Sequence, residues 1–133
     1  MPPAKQIAEK VLVDCPTFHF RTDLDKIVLG QKDPPFGVYF NDDESFENCV
    51  LFAPLGVYLP PNGEHYVMYK EIVEVTLPDK HVMVEDTKNR QLGLALPDGK
   101  TAHLPIYGER NRVYDIYDVE RFLFKVRVFA KNW

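Results

Sequence analysis

The chain has 133 residues, of which 45% are hydrophobic and 13% aromatic, enough to build a folded core and too much for a disordered chain. Sixteen Lys and Arg against twenty Asp and Glu leave a formal charge of −4, which excludes a broad basic surface for nucleic-acid phosphates or anionic membranes. No apolar run approaches the roughly 20 residues of a membrane span. The opening Met1–Gln6 lacks the apolar stretch of a signal peptide, so a cytoplasmic protein without stable membrane insertion is expected.

In chain order, Ile7, Val11 and Leu12 recur near helical spacing within residues 3–13, predicting a short helix or ordered arm. Thr22-Asp23-Leu24-Asp25 offers an N-cap followed by acid, and Leu24, Ile27 and Val28 share one face. A second short helix is therefore expected over 23–30, ended by Gly30. From residue 36 the period changes to two. Phe36–Phe40 reads as a strand, followed by the acidic run Asn41-Asp42-Asp43-Glu44. Cys49–Phe52 and Leu55–Leu59 read as one long strand bent at Ala53-Pro54 and Gly56, because proline cannot donate to a ladder. Pro60-Pro61-Asn62-Gly63 predicts a hairpin turn.

Tyr66–Tyr69, Ile72–Leu77 and Val82–Glu85 supply further strands, and Thr87–Arg90 a polar turn. Leu92, Leu94 and Leu96 alternate, as do Ala102, Leu104 and Ile106 beyond the Pro97-Asp98-Gly99-Lys100 turn. Asp115 with Asp118 forms a variant capping box ahead of an amphipathic helix over 115–129. Its inner stripe is Ile116, Val119, Leu123 and Val126, with Phe122 and Phe129 at the margin. The class is mainly β with α (α+β). Seven short strands with turns too short for crossovers give an antiparallel sandwich or partly open barrel, capped by a C-terminal helix and preceded by short helical segments.

Catalytic chemistry is poorly supplied. Cys15 and Cys49 form no Cys-x-x-Cys pair and read as reduced, small apolar residues. Ser45, the only serine, lies in Asp43-Glu44-Ser45-Phe46-Glu47 rather than in a Gly-x-Ser-x-Gly elbow. His19, His65, His81 and His103 are scattered without metal-ligand spacing, and no Gly-x-Gly cradle occurs. No enzyme activity, no cofactor and no metal are expected.

A strand-rich meander closed by one amphipathic helix resembles the pleckstrin-homology (PH) superfold. Asn48–Leu59 is similar to the bacterial PH-like pattern of an apolar strand, a break, then Gly-aliphatic-Tyr. Tyr69–Val75 resembles its following strand, Leu96–Lys100 its hairpin and Val113–Val128 its closing helix. The resemblance covers 36–129 of a single domain, 1–133, with 1–35 as an N-terminal helical extension. It implies a non-catalytic scaffold that binds lipid head groups, peptides or proteins, some members looking like immunity proteins that block a toxin.

Three surfaces carry candidate binding residues. Asp42, Asp43, Glu44 and Glu47 make an acidic loop suited to a basic protein partner such as a toxin, and unsuited to a phosphoinositide, which calls for Lys and Arg. On the closing helix, Val113, Tyr117 and Phe124 fall off the main stripe, either covered by Ile7, Val11 and Leu12 or left as a partner patch. Lys88, Arg90, Lys100, Arg110 and Arg112 lie at turns or before the helix and offer an alternative anion or lipid-head-group site. The leading reading is a protein-binding domain, followed by the anion module, then a small hydrolase or metal enzyme.

Overall fold

Alternating apolar side chains organise the chain into two antiparallel ladders held under a pair of helices. The computed structural model describes residues 3–13, 15–24, 33–42, 45–61, 63–79, 82–83, 87–108 and 114–133. Helix α1 spans Ala4–Val11 and helix α2 spans Tyr114–Ala130. Strands β1 (Phe18–Phe20), β2 (Gly37–Phe40), β3 (Cys49–Phe52), β4 (Gly56–Leu59) and β5 (His65–Met68) form one sheet in that order. Strands β6 (Glu74–Thr76), β7 (Gln91–Ala95) and β8 (Thr101–Pro105) form the second. The class is thus α+β as expected. Among the described residues there are eight strands rather than seven, in two separate ladders that do not close into a barrel.

The added strand is β1, paired with β2 through Phe18↔Tyr39 and Phe20↔Gly37. Gly37 is required there, because a methyl group would strike the Phe18 ring. The long bent strand expected over 49–59 is instead a hairpin: β3 and β4 run antiparallel with Leu51 opposite Tyr58 and Phe52 opposite Val57. Its turn is closed by Ala53 N–H donating to the Gly56 carbonyl at 2.9 Å. Side chains remote in sequence satisfy the rest. Asp33 Oδ2 accepts from Leu55 N–H (3.0 Å) and from the Tyr66 hydroxyl (2.6 Å), while the Tyr69 hydroxyl donates to the Ala53 carbonyl (2.7 Å). Burial holds the Asp33 carboxyl above the usual carboxylate range, although those donors pull the other way.

Pro60-Pro61 (a cis peptide) and Gly63, at φ 68°, turn β4 into β5 as the sequence predicts. The strand expected to continue to Tyr69 yields to a 3-10 turn over Tyr69–Glu71, and that expected over Ile72–Leu77 shortens to β6. Val82 and Met83 have helical rather than extended backbone, with Asp79 Oδ1 accepting from Val82 N–H at 3.0 Å; Val84 and Glu85 lie outside the described residues. So does the expected helix over 23–30 beyond Leu24. The hairpin β7–β8 forms as read, with Gly99 at φ 84° in its turn.

The five-stranded sheet is buried on both sides in β2, β3 and β4. Val38, Cys49, Leu51, Ala53 and Tyr58 face one cluster with Leu24. Tyr39, Val50, Phe52, Val57 and Leu59 face the main core, shared with β7, β8 and the helices. Phe122, expected at the helix margin, is fully buried at the centre of that core, edge-on to Phe52 (5.5 Å between centroids) and Tyr69 (5.8 Å).

Helix α1 buries Ala4, Ile7, Ala8 and Val11, an i, i+3, i+4, i+7 stripe, against α2. Arg127 ties α2 to the second sheet by donating to the Ile72 and Val73 carbonyls just before β6. Residues 3–24 thereby contribute a helix and a strand to the fold. The two ladders meet at a corner clipped by Asn41, whose side chain donates to the Pro105 carbonyl and accepts from Tyr107 N–H, both at 2.9 Å.

Candidate functional site

The expected cover over Tyr117 and Phe124 is incomplete. Helix α1 lies along α2 through Ala4, Ile7, Ala8 and Val11, without closing over Tyr117 or Phe124. Phe124 stays 68% exposed, Val128 57% and Tyr117 43%. At about 100° per residue, positions 117, 124 and 128 fall within about 40° of one another, so they form one outward stripe. Between the helices runs an apolar groove of about 400 Å³, lined by Gln6, Ile7, Lys10 and Val11 from α1 and by Phe124, Lys125, Val128 and Phe129 from α2. Val113, read on the same face as Tyr117, lies outside the described residues.

The acidic loop makes a second, polar groove. Ser45 caps a 3-10 turn over Phe46–Asn48 by accepting from Glu47 N–H at 3.3 Å. The Asn48 amide then donates to Asp42 Oδ2 (3.0 Å) and to the Tyr107 hydroxyl (2.9 Å), fixing the Asp42 carboxylate at the mouth. Asp42, Ser45, Glu47 and Asn48 line this open groove, about 520 Å³, with Pro60 and Pro61 across from them. Asp43 and Glu44 lie outside the described residues.

Among the described residues, the basic turn residues Lys88, Arg90 and Lys100 do not share a site. Lys88 precedes β7 and Lys100 follows it, so they stand at opposite ends of the β7–β8 hairpin. Arg90 is buried at 1% exposure and donates to the Tyr107 carbonyl at 2.9 Å, a structural role at the corner. Arg110 and Arg112 lie outside the described residues. His103 is exposed on the outer face of the second sheet.

A buried polar cluster escaped the sequence reading. Helix α2 begins one residue earlier than expected, which moves Asp115 from the cap into the first turn, where it is fully buried. Its Oδ2 accepts from the Tyr39 hydroxyl at 2.6 Å, and that hydroxyl accepts from Gly108 N–H at 3.1 Å. Cys15 Sγ and carboxylate oxygens of Asp115 and Asp118 lie within 4.8 Å of one another, a cluster of metal-ligand type. The Cys15 thiol is nevertheless pushed up to about 12, first by burial, then by the charge of Asp115 and a hydrogen bond to it. A cation there would compete with the thiol proton and with Arg121, which donates to Asp118 at 2.6 Å. Cys49, donating to the Phe46 carbonyl, is pushed up to about 11 by burial.

Both thiols are expected to resist Ellman's reagent in the folded protein at about pH 8 and to react together on unfolding. Both folded values lie above the ordinary thiol value of 9.0, so the unfolded chain loses protons first. Stability should be full below pH 9 and fall as pH rises toward 12, measurable by denaturant titration. Reaction of either thiol at a rate independent of denaturant would contradict this placement.

Among the described residues no helix is long and apolar enough to cross a membrane. No family model, curated protein or solved structure matches the chain.

Proposed function

We propose that the protein is a non-catalytic interaction domain that docks a protein partner through the groove between α1 and α2. The observation that carries this reading is the outward stripe Tyr117, Phe124 and Val128 beside an apolar groove. An exposed aromatic next to a concave apolar surface is the form of an interface centre, where a few anchors supply most of the affinity. The resemblance to PH-like binding scaffolds supports a binder over a catalyst, as do two thiols that burial keeps protonated.

A photoreactive phenylalanine analogue placed at position 124 tests it, with the same analogue at position 103 as control. A discrete protein adduct at 124 that is absent at 103 is expected. No adduct at 124, or the same adducts at both positions, would end the reading. Against the partner so captured, Phe124→Ala should lower affinity roughly thirtyfold, the effect of losing an anchor worth about 2 kcal/mol.

A second reading rests on the other groove, which brings Asp42 and Glu47 together. There the partner is a basic protein, as for an immunity-type inhibitor covering a toxin's cationic surface. Adducts formed from the 45–48 turn and not from 124 would favour it.

A further inference from the structure

We infer that the occupant of the α1/α2 groove is an amphipathic helix of a partner protein, with carboxylates flanking its apolar row. The inference rests on the docking reading above and specifies the partner's chemistry. The apolar lining of the groove includes the buried Ile7 and Val11 and the exposed Phe124 and Val128, and its charged lining residues are Lys10 from α1 and Lys125 from α2. No carboxylate lines it among the described residues. The chain as a whole carries −4, so a groove whose described charged residues are two lysines, beside the exposed Phe124 and Val128, runs against the overall balance.

The dimensions select a helix. The lining runs from Gln6 to Val11 on α1 and from Phe124 to Phe129 on α2, each about 7.5 Å at 1.5 Å per residue. The anchors of a docked helix at i, i+3 and i+4 span about 6 Å and fit that length, with an i+7 anchor continuing past its end along α2. A concave trough takes such a ridge of side chains, whereas a flat membrane surface would meet its rims first. Each lysine tip then lies where a carboxylate beside the apolar row would stand, while its aliphatic stem extends the apolar wall.

The test uses the full chain and a fluorescein-labelled peptide of about 14 residues, alanine-based, with leucines at i, i+3, i+4 and i+7 and glutamates flanking them. A companion peptide carries lysines in place of the glutamates. By anisotropy at about 50 mM salt, the acidic peptide should bind at least roughly tenfold more tightly than the basic one, with Lys10→Glu/Lys125→Glu reversing the order. If that variant does not fold, the wild-type preference for the acidic peptide should shrink severalfold at about 300 mM salt.

Equal binding of the two peptides, or binding of neither, overturns the acidic helix. Co-sedimentation with vesicles of roughly 7:3 phosphatidylcholine and phosphatidylglycerol, abolished by Phe124→Glu, assigns the face to lipid and also overturns it. A dimer in light scattering that Phe124→Glu dissociates assigns it to a second copy. The docking reading fails separately: it falls if position 124 captures no protein, and it survives if 124 captures a protein while the peptides show no preference.

Discussion

Replacing Phe122 with alanine should remove about 3–5 kcal/mol of folding free energy, the range for deleting a fully buried aromatic. Its ring is edge-on to Phe52 and Tyr69, and so joins α2 to β3 and to the 3-10 turn after β5. Tyr69 is itself fixed by its hydrogen bond to the Ala53 carbonyl and cannot swing into the void without leaving that acceptor. The cavity should therefore stay largely open, which puts the cost toward the top of the range. For a domain whose whole stability is of order 5–15 kcal/mol, a loss of about 5 kcal/mol is between about a third and the whole of it. Urea titration by circular dichroism reads this directly. A loss under about 1 kcal/mol would mean that Phe122 is not central to the core.

Tyr39→Phe should cost about 2–3 kcal/mol, by a different route. No volume is lost beyond one oxygen, but the fully buried Asp115 loses a donor at 2.6 Å and Gly108 N–H loses an acceptor. Burial, the hydrogen bond to Asp115 and its charge all hold the Tyr39 phenol far above its ordinary value, so the hydroxyl keeps its proton at any accessible pH. Combined with Asp115→Asn in a double-mutant cycle, the two losses should fall short of additive by about 1 kcal/mol or more. Strict additivity would show that the two side chains do not interact. The two variants differ in a useful way: Phe122→Ala weakens packing at the centre, whereas Tyr39→Phe loosens the corner where the sheets meet.

Elements with one wet face were legible in the sequence. Leu92 and Leu94 alternate with Gln91 and Gly93, and Ala102 and Leu104 with Thr101 and His103, because only one side of β7 and β8 is buried. Cys49-Val50-Leu51-Phe52 gives no such period, since both its faces are covered. The turn beyond it was hidden for a related reason. Beyond the local Ala53–Gly56 bond, its backbone groups are satisfied by Asp33, 22 residues from Leu55, and by Tyr69. Strand β1 is three residues long and is defined by its pairing with β2 more than by its own pattern.

The candidate site was half legible for the same physical reason. Phe124 is visible as an apolar residue off the buried stripe of a helix, a property of spacing alone. That Lys10 and Lys125 share one groove depends on α1 lying against α2, an approach that the apolar spacing of Ile7, Val11 and Leu12 offers as one alternative and that Ala4 and Ala8 make close. Nothing local marks Cys15 and Asp115 as neighbours, because they come from opposite ends of the chain.

The double burial of β2, β3 and β4 also limits where recognition can evolve. A ladder walled in on both sides offers no open platform, and any side chain turned toward a ligand from those strands would first have to leave a core. Variation in binding is then confined to surfaces that carry little of the folding load: the outer sides of the helices, the turns, and the wet side of the smaller sheet. Specificity could be rewritten at Tyr117, Phe124 or Lys125 with small change in stability, while the interior strands hold the frame constant.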